Sequence, residues 1–533
     1  MREHIIGKNW FYTTRNFHSL KEHDMEQTGT IPNPPMTAAE KLYTLKNYIN
    51  GSWIDSTGTK TVPNINPADT RMVLCATPLS SRDDAKHAIA SAKEAFPGWK
   101  ATPPPKRGKI LFNAVRLMEE RLEHLATTLT KEEGKIISES RGEVQRSINI
   151  VEFTAGEGRR LRGATIPSEL LNTFIYTIRQ PIGVVGIITP WNFPVAIPIW
   201  KIAPALLAGN TVVFKPATFT PLCAVEIVKI FEESGLPKGV LNLVMGSGNL
   251  VGDEIVNNPD VHAISFTGST DVGLSLYGAA SSHGMRVQCE MGGKNPLIIL
   301  EDADLNLALE GAMSGGFGST GQRCTASSRV IVVDAIADKF TEMMLARMET
   351  YRVGNGLDPQ TEMGPSIDEA QMNSVLNYID VGKAEGARLL KGGTRLISGN
   401  YKNGYYVQPT LFDGVKMNMR IAQEEIFGPV IALIRVKNFE EAVHAANDVK
   451  YGLSASLYTN DVSKILRFVE MAEVGKVHIN NPPVGGEAQA PFGGIKATGV
   501  GPREQGSEVF EFYTELKTIY LDYTGKKRAT NIY

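Results

Sequence analysis

Short runs rich in valine and isoleucine alternate with helix-length segments between residues 183 and 290, and this alternation constrains the fold more than any other feature. The runs are GVVGIIT (183–189), TVVFKP (211–216), VLNLVM (240–245), AISFTG (263–268) and RVQCE (286–290). Strands separated by helices pair in parallel, and the helices cover both faces of the sheet. The pattern predicts an α/β fold built on a doubly wound, Rossmann-like sheet.

Helices and a second α/β unit are predicted on either side of this sheet. Apolar residues recur every three or four positions over 81–96 and over about 106–131, as on the buried face of an amphipathic helix. Further strand and helix patterns follow from 292 to about 480. A chain of 533 residues with 42% hydrophobic residues can build more than one core. We therefore expect two or three domains.

Charge and cysteine content exclude several classes of protein. The formal net charge is −2, without the excess of lysine and arginine that binding to a nucleic-acid backbone requires, so no nucleic-acid partner is expected. No apolar run approaches the roughly 20 residues that span a bilayer, so no membrane partner is expected either. The cysteines lie too far apart for a disulfide framework or a metal site, which favours a cytoplasmic protein without metal. They are Cys75, Cys223, Cys289 and Cys324.

The two ends of the chain fall outside the α/β pattern. Residues 1–38 are mostly polar and lack the apolar core of a signal peptide, and residues 525–533 are polar as well. We interpret the first segment as an N-terminal extension of unknown role and the second as a loose tail.

Three predicted strands are followed by residues that suit a cofactor site. PWNFP (190–194), KPAT (215–218) and TGST (267–270) come directly after valine-rich runs. In open parallel sheets, ligands bind beyond the carboxyl ends of the strands. A glycine pattern that begins at Gly246 reads GxGxxxG, which departs from the dinucleotide fingerprint GxGxxG, and turn glycines explain it equally well. The strand ends therefore mark the cofactor edge more firmly than the glycines do.

Cys324 is the candidate nucleophile. It follows four glycines in GGFGSTGQRCTASSR, where small residues let the backbone approach a ligand and suit the start of a helix. A thiol at a helix N-terminus beside Arg323 would have a lowered pKa and react as a thiolate. A buried structural cysteine is the alternative, and the glycine-rich context disfavours it.

Glu290 is the candidate base. It ends the last valine-rich run, in CEMGGKNP, and an apolar setting there would raise the pKa of its carboxyl group toward that of a general base. An ordinary solvated glutamate is the alternative, so the surrounding motif has to decide.

Six motifs together carry a resemblance to a known family. PWNFP, FTGST, CEMGGKNP, GQRC, EEIFGPV and PFGGIK occur in this order, and the chain from about 48 to 520 resembles the aldehyde dehydrogenase superfamily. The resemblance implies that Cys324 attacks an aldehyde and becomes a thioester. It also implies that Asn192, with the backbone N–H of Cys324, forms the oxyanion hole, and that Glu290 activates the hydrolytic water. In relatives that transfer the acyl group to coenzyme A this glutamate is typically absent, so a free acid product is expected.

The resemblance also implies an NAD(P) site. Lys215 would bind the adenosine ribose, Glu425 the nicotinamide ribose, and Phe427 would lie beside the nicotinamide. NAD-specific relatives usually carry a glutamate where this chain has Thr218, so NADP is expected to be accepted at least as well as NAD. The predicted cofactor-binding residues are Thr189, Pro190, Trp191, Lys215, Thr218, Gly246, Gly268, Ser269, Gly273, Glu425 and Phe427.

Within the superfamily the motifs are most similar to those of α-ketoglutaric semialdehyde (2,5-dioxopentanoate) dehydrogenases. Arg323 is the candidate partner for the substrate carboxylate, although it could equally form a structural ion pair or only lower the thiol pKa. Gly318 and the Gly485–Gly486 pair stand where bulky aromatics are common, which leaves room for a polar substrate. The residues predicted to line the aldehyde tunnel are Phe193, Ile197, Trp200, Arg323, Thr325 and Phe492, together with Gly318 and Glu487.

Other functions remain open at this point. Succinic semialdehyde, glyceraldehyde or a general aliphatic aldehyde could be the substrate, and a binding protein that kept the fold without the chemistry is the alternative from another class. By resemblance, the NAD(P)-binding domain comprises 39–162 and 182–291, and the catalytic domain 292–507. A small β extension from 163–181 and 508–524 would pair with a neighbouring subunit, so a homodimer or a dimer of dimers is expected.

Overall fold

The computed structural model describes residues 43–525. The predicted N-terminal extension (1–38) and all but the first residue of the predicted tail (525–533) lie outside the described residues. Within 43–525, no helix combines the length and apolar character needed to cross a membrane. The same part of the chain contains no group of three or more histidine, cysteine, aspartate or glutamate side chains placed to hold a metal ion.

Helices and strands alternate along most of the described chain. The strands are β1 Asn47–Ile49, β2 Ser52–Ile54, β3 Lys60–Ile65, β4 Val73–Leu79, β5 Thr165–Ile166, β6 Thr173–Pro181, β7 Val184–Ile188, β8 Thr211–Lys215, β9 Leu241–Leu243, β10 Ala263–Thr267, β11 Arg286–Glu290, β12 Pro296–Ile299, β13 Arg329–Val333, β14 Arg388–Lys391, β15 Thr410–Asp413, β16 Val430–Val436, β17 Tyr451–Gly452, β18 Ser454–Tyr458, β19 Lys476–Ile479, β20 Ile495–Lys496, β21 Gly499–Val500 and β22 Thr514–Asp522. The α-helices are α1 Arg82–Ala101, α2 Pro104–Glu120, α3 Leu122–Glu133, α4 Ile137–Glu157, α5 Ala196–Ala208, α6 Pro221–Glu233, α7 Asp253–Asn257, α8 Thr270–Ser281, α9 Leu305–Phe317, α10 Asp334–Glu349, α11 Glu369–Ala384, α12 Arg420–Gln423, α13 Phe439–Asn447, α14 Val462–Met471 and α15 Phe510–Tyr513.

The first sheet has the strand order β2-β1-β9-β8-β7-β10-β11-β21. The five central strands are the valine-rich runs of the sequence, and all four pairings among them are parallel. Alternate residues of these strands enter different cores, so that Val185 packs with α5 and α6 while Val184 packs with α1 and α8. Apolar side chains on both faces are the property that a doubly wound sheet requires. The predicted fold class is confirmed.

The second sheet has the order β14-β15-β16-β13-β12-β18-β19 and is parallel except for the edge strand β14. A separate core lies on each of its faces. A third sheet, β22-β6-β5, is antiparallel, and β22 pairs with β6 over nine residues. One short strand crosses between the predicted segments, because β21 of 292–507 pairs with β11 of the first sheet. The domain limits stay a prediction.

One helix prediction needs a correction. The continuous apolar pattern over 106–131 predicted a single helix, but the structure has two, because Arg121 (φ −109°, ψ 12°) leaves the helical conformation between α2 and α3. Its guanidinium donates to Glu233 at the end of α6, with Nη1 and Oε1 3.0 Å apart. Both α2 and α3 pack on α6, and periodicity alone does not reveal the break between them.

Candidate active site

The carboxyl ends of neighbouring parallel strands bring the predicted cofactor residues together at one edge of the first sheet. Ile188 of β7 pairs with Lys215 of β8, and Thr267 of β10 pairs with Glu290 of β11. The segments that follow these positions therefore leave the sheet on the same side. This is the edge that the sequence marked, and Cys324 approaches it from the second α/β unit.

Cys324 lies in a turn, which corrects the prediction that it begins a helix. A 3-10 turn at Gly318–Gly321 precedes it, and β13 begins only a few residues later. Ser319 (φ 47°) and Thr320 (φ 59°) both adopt the left-handed conformation that non-glycine residues rarely occupy. Such backbone persists only where the surroundings hold it, and it is found most often at functional sites. The thiol is half-buried.

The pKa of Cys324 is raised, whereas the sequence analysis expected it to be lowered. Burial is the largest cause and raises the thiol pKa to about 12, and the carboxylates of Glu425 and Glu290 add to the rise. Lys476 and Arg146 act in the opposite direction. We expected a lowered thiol pKa because we placed Cys324 at a helix N-terminus and beside a free Arg323 charge. The structure has a turn at Cys324 instead, and Arg323 pairs with Glu139. The thiolate therefore depends on deprotonation within the site.

Arg323 forms an ion pair with Glu139 of α4. Its Nη2 lies 2.5 Å from Glu139 Oε1, and its Nε donates to Ser319 Oγ at 3.0 Å. Glu139 also accepts from the Ser319 backbone N–H at 2.9 Å. This geometry corresponds to the structural alternative of the sequence analysis. The pair supports the left-handed turn that precedes Cys324, although Arg323 also borders a cavity beside the thiol.

Asn192 is buried between β7 and α5, next to the turn that carries the thiol. Its side-chain Nδ2 donates to the backbone carbonyl of Gln322 at 3.0 Å, two residues before Cys324. An amide nitrogen has two hydrogens, so one is fixed by this carbonyl and the other is available to a second acceptor. The placement suits an oxyanion donor.

Glu290 is buried, with 4% of its surface exposed. In the part of the chain that the structure describes, its Oε2 has no hydrogen-bond partner. Burial raises the pKa of the Glu290 carboxyl group well above its usual range, and the charge of Glu504 raises it further. The expected direction of this shift is confirmed. A carboxyl group with a raised pKa is a stronger base and can act as a general base.

A cavity of about 240 Å³ opens in front of the thiol. It brings together most of the predicted catalytic and cofactor-binding side chains with four residues that the sequence analysis did not name. The predicted residues in its lining are Pro190, Trp191, Asn192, Ile197, Gly268, Ser269, Cys324, Glu425 and Phe427, and the others are Thr267, Met291, Gly292 and Gln371.

The remaining predicted cofactor residues lie outside that lining. Thr189 and Lys215 are buried at the ends of β7 and β8, and Thr218 follows in the next loop. Gly246 follows β9 with φ +156°, while Gly273 lies within α8 against the Met291 side chain. Gly273 therefore serves helix packing in this structure.

Glu425 and Phe427 share one tightly held segment of the front cavity. The Gly293 backbone N–H donates to Glu425 Oε1 at 2.9 Å, and the carboxylate lies so close to Gly292 that a Cβ there would not fit. Burial raises the pKa of Glu425 to about 7. Phe427 has a left-handed backbone (φ 56°), and Gln371 Nε2 donates to its carbonyl at 2.9 Å.

The edge of the first sheet that carries the front cavity suits a nicotinamide dinucleotide. In the described chain, the buried hydroxyls of Thr189 and Thr267 have no hydrogen-bond partners. Lys215 Nζ donates to the Pro216 carbonyl at 3.1 Å, and burial lowers the pKa of Lys215 to about 8. Unsatisfied buried polar groups at the carboxyl ends of parallel strands are suited to a polar, anionic ligand.

A second cavity, also about 240 Å³, lies behind the thiol. Six of the eight residues predicted to line the aldehyde tunnel border this cavity: Phe193, Ile197, Trp200, Arg323, Thr325 and Phe492. Gly318 and Glu487 do not, and Glu487 is exposed. The complete lining is Glu139, Gly142, Glu143, Arg146, Phe193, Ile197, Trp200, Ser319, Arg323, Cys324, Thr325, Val484, Gly485 and Phe492.

The sequence analysis did not identify two cations near this rear cavity: Arg146 borders it, and Lys476 lies against Phe492 of its lining. The Arg146 guanidinium lies 5.5 Å from the centre of the Trp200 ring, and Lys476 Nζ lies 4.9 Å from that of Phe492. A Cβ on Gly486 would lie 3.0 Å from Arg146 Nη2 and 3.6 Å from Lys476 Nζ, so both cations meet at this glycine.

Neither cation has a carboxylate partner among the ion pairs of residues 43–525. Arg146 Nη2 donates to the Gln505 amide oxygen at 3.2 Å, while its buried Nε has no partner in that range. Burial lowers the pKa of Lys476 to about 8, and the nearby Arg146 charge lowers it further. Both side chains are partly exposed, and Lys476 Nζ donates to the Gly485 backbone carbonyl. Two neighbouring cations without carboxylate partners form a site for an anion. The sequence signal was weak, because Arg146 is one polar residue on α4 and Lys476 begins a short strand far away in the chain.

The chain is similar to known proteins in both sequence and fold. The sequence pattern described as the aldehyde dehydrogenase family matches residues 53–519. The chain is 47% identical to the α-ketoglutaric semialdehyde dehydrogenase of Bacillus subtilis (strain 168), over 91% of this chain and 100% of that protein. It is 45% identical to the 2,5-dioxopentanoate dehydrogenase of Saccharolobus solfataricus, over 89% and 99%. The crystal structure of Staphylococcus aureus betaine aldehyde dehydrogenase in complex with NAD⁺ superposes with a TM-score of 0.89 at 36% identity, over 91% of this chain and 96% of that one.

Proposed function

Because this chain belongs to the aldehyde dehydrogenase family, we propose that it oxidises α-ketoglutaric semialdehyde to 2-oxoglutarate. Two relatives, at 47% and 45% identity, carry this activity in their names. The observation that carries the proposal is a pair of neighbouring cations behind Cys324, with Arg146 in the lining of the rear cavity and Lys476 next to it. The substrate has an aldehyde at one end and a carboxylate at the other, and the rear cavity offers a thiol for the first and cations for the second.

The first half of the reaction takes place between Cys324 and Asn192. The Cys324 sulfur attacks the aldehyde carbon, and the Asn192 amide with the Cys324 backbone N–H holds the oxygen that becomes negatively charged. When bound, a nicotinamide dinucleotide supplies the acceptor for the hydride that leaves this carbon. A thioester on Cys324 results.

The second half of the reaction is hydrolysis. The carboxylate of Glu290 takes a proton from water, which attacks the thioester carbon, and the Cys324 sulfur departs as the acid is formed. Glu290 borders neither cavity, but it is buried, its charge acts on the Cys324 thiol, and its own pKa is raised, as suits a base. The product is a free carboxylate.

The cofactor would be held along the carboxyl edge of the first sheet, with its nicotinamide end at the front cavity. Lys215 and Thr218 would contact the adenosine ribose, Glu425 the nicotinamide ribose, and Gly268 and Ser269 the stretch between them. Phe427 would pack beside the nicotinamide. These assignments rest on the family resemblance and on the common edge that the strands share.

Removal of either rear cation should weaken binding of the charged substrate selectively. We expect Arg146→Met and Lys476→Met each to raise KM for α-ketoglutaric semialdehyde by roughly 10- to 100-fold, since a charge-assisted contact contributes about 1.5 to 3 kcal/mol. KM for an uncharged aldehyde of equal length should change by less than about threefold. Because both cations also lower the thiol pKa, the ratio between the two aldehydes is the quantity to measure.

Arg323→Met is the matched control for this experiment. Its guanidinium is paired with Glu139, so we expect both aldehydes to lose activity to the same extent. A selective loss with the charged aldehyde in Arg323→Met, together with none in Arg146→Met, would assign the carboxylate to Arg323 instead.

We expect NADP to be used at least as well as NAD, because Thr218 stands where a carboxylate would repel the 2′-phosphate. Thr218→Glu should lower kcat/KM for NADP by about tenfold or more and leave that for NAD within about threefold. Thr218→Val, which removes the hydroxyl without adding charge, is the control. Steady-state kinetics with both cofactors measures the effect, and a strong NAD preference in the unaltered protein would contradict it.

We also propose that the protein is a homodimer or a dimer of dimers. The third sheet leaves large apolar side chains exposed, including Phe174, Ile178, Leu516, Tyr520 and Leu521. Exposed apolar side chains on both faces of a sheet with open edges favour pairing with another copy. Light scattering should give at least twice the mass of one chain, and Leu516→Glu with Tyr520→Glu should reduce it. A monomeric mass for the unaltered protein contradicts the proposal.

A further inference from the structure

The oxyanion residue Asn192 lies on a loop that requires support from outside itself. Residues 189–195 connect β7 to α5 without joining a sheet ladder. The residue before α5 is Val195, whose apolar side chain cannot accept hydrogen bonds from the first N–H groups of the helix. The position of Asn192 therefore depends on side chains from other parts of the chain that bind the loop.

Glu143 of α4 supplies the cap at the helix end of the loop. Its Oε1 accepts from the backbone N–H of Val195 at 2.9 Å and of Ala196 at 3.0 Å. Its other carboxylate oxygen accepts from Lys135 Nζ at 2.7 Å. A carboxylate at a helix N-terminus satisfies these N–H groups and is favoured by the helix dipole.

Lys135 binds the loop directly at Asn192. Its Nζ donates to the Asn192 backbone carbonyl at 2.6 Å and lies 4.0 Å from the centre of the Phe193 ring. Only 1% of its surface is exposed. Burial by itself lowers a lysine pKa, yet the charges of Glu133 and Glu143 raise the pKa of Lys135 above its ordinary value. The ammonium group is charged, and its position is fixed by three partners of different kinds.

We propose that Lys135 and Glu143 are positioning residues for the oxyanion site, a role that rests on the proposed function of Asn192. One ion pair holds the loop at the Asn192 carbonyl and at the start of α5, so it sets the distance of the Asn192 amide from the Cys324 turn. The buried pair is costly to desolvate, and apolar residues of the same volume would often be as stable. An apolar pair, however, could not make the hydrogen bonds that hold Asn192 in place.

The test compares hydride transfer in two backgrounds. Lys135→Met should slow the single-turnover rate of reduced-cofactor formation by roughly 10- to 100-fold with an uncharged aldehyde, since displacement of about 1 Å at a reacting group can cost 100-fold. The dissociation constant for the cofactor, measured by fluorescence titration, should stay within about twofold. In an Asn192→Ala background, Lys135→Met should slow the reaction by less than about threefold, because the group that it positions is already gone.

A second variant tests whether the slower rate could result from loss of folding. Lys135→Met combined with Glu143→Gln removes both charges, while the amide oxygen introduced by the second substitution can still accept from the first N–H groups of α5. It should show the same slowing. Arg107→Met is the matched control, because Arg107 is a buried cation that donates to the Leu207 carbonyl at the other end of α5, and it should lower Tm without changing the rate.

The outcomes separate this inference from the proposed function. If Asn192→Ala itself has little effect, the proposed oxyanion role fails. If Asn192→Ala is slow and Lys135→Met slows both backgrounds equally, Lys135 acts on stability alone and the inference is overturned. A rate within about threefold of the unaltered protein in both Lys135 variants also overturns it.

Discussion

Cys324→Ala is expected to lower kcat for reduced-cofactor formation by at least about 10⁴-fold. Within residues 43–525, the Cys324 thiol is the only nucleophile that borders both cavities, and loss of the nucleophile in covalent enzymes can cost about 10⁶-fold. Binding of the dinucleotide, measured by calorimetry, should change by less than about threefold, because the front cavity is lined mainly by other residues. Absorbance of the reduced nicotinamide measures the reaction.

Cys75→Ala is the matched control for this prediction. Cys75 is buried in β4 and has a raised pKa, chiefly from burial, so its thiol should not take part in the reaction. We expect kcat to be unchanged. Substantial activity in Cys324→Ala, or an acyl adduct found by mass spectrometry at a different cysteine, would refute the assignment of the nucleophile.

Glu290→Gln is expected to permit one rapid round of hydride transfer and then to stall. Glu290 is assigned to hydrolysis, so its loss leaves the thioester on Cys324. Steady-state kcat should fall by about 10²- to 10⁴-fold, the usual contribution of a general base. Stopped-flow kinetics should still show a burst of about one reduced cofactor per active site.

The pH dependence gives a second measurement of the same role. Because burial raises the pKa of Glu290, and only the ionised carboxylate accepts a proton, steady-state kcat should increase as pH rises toward that pKa. The increase should disappear in Glu290→Gln. If the burst is lost together with the steady state, Glu290 acts before the thioester forms, and the proposed division of roles is wrong.

The sequence by itself determined which segments form the central strands of the first sheet. It also indicated that the candidate site lies at the carboxyl ends of these strands. Runs such as GVVGIIT predicted buried parallel strands correctly because strand propensity and apolar patterning are local properties. The motifs around Cys324 and Glu290 indicated the family, which the match over residues 53–519 confirms. The raised pKa of Glu290 also followed, since a strand end between apolar residues is buried in almost any doubly wound sheet.

Only the tertiary structure decided the electrostatics of the site. The pKa of Cys324 rises because burial and two carboxylates outweigh the nearby cations, and none of these distances is encoded by spacing in the sequence. Arg323 is engaged by Glu139, which lies far away in the chain, while Arg146 and Lys476 meet only when α4 and β19 pack around the rear cavity. Charge interactions depend on distance and burial in the folded chain, so a residue adjacent in sequence can be irrelevant and a remote one decisive.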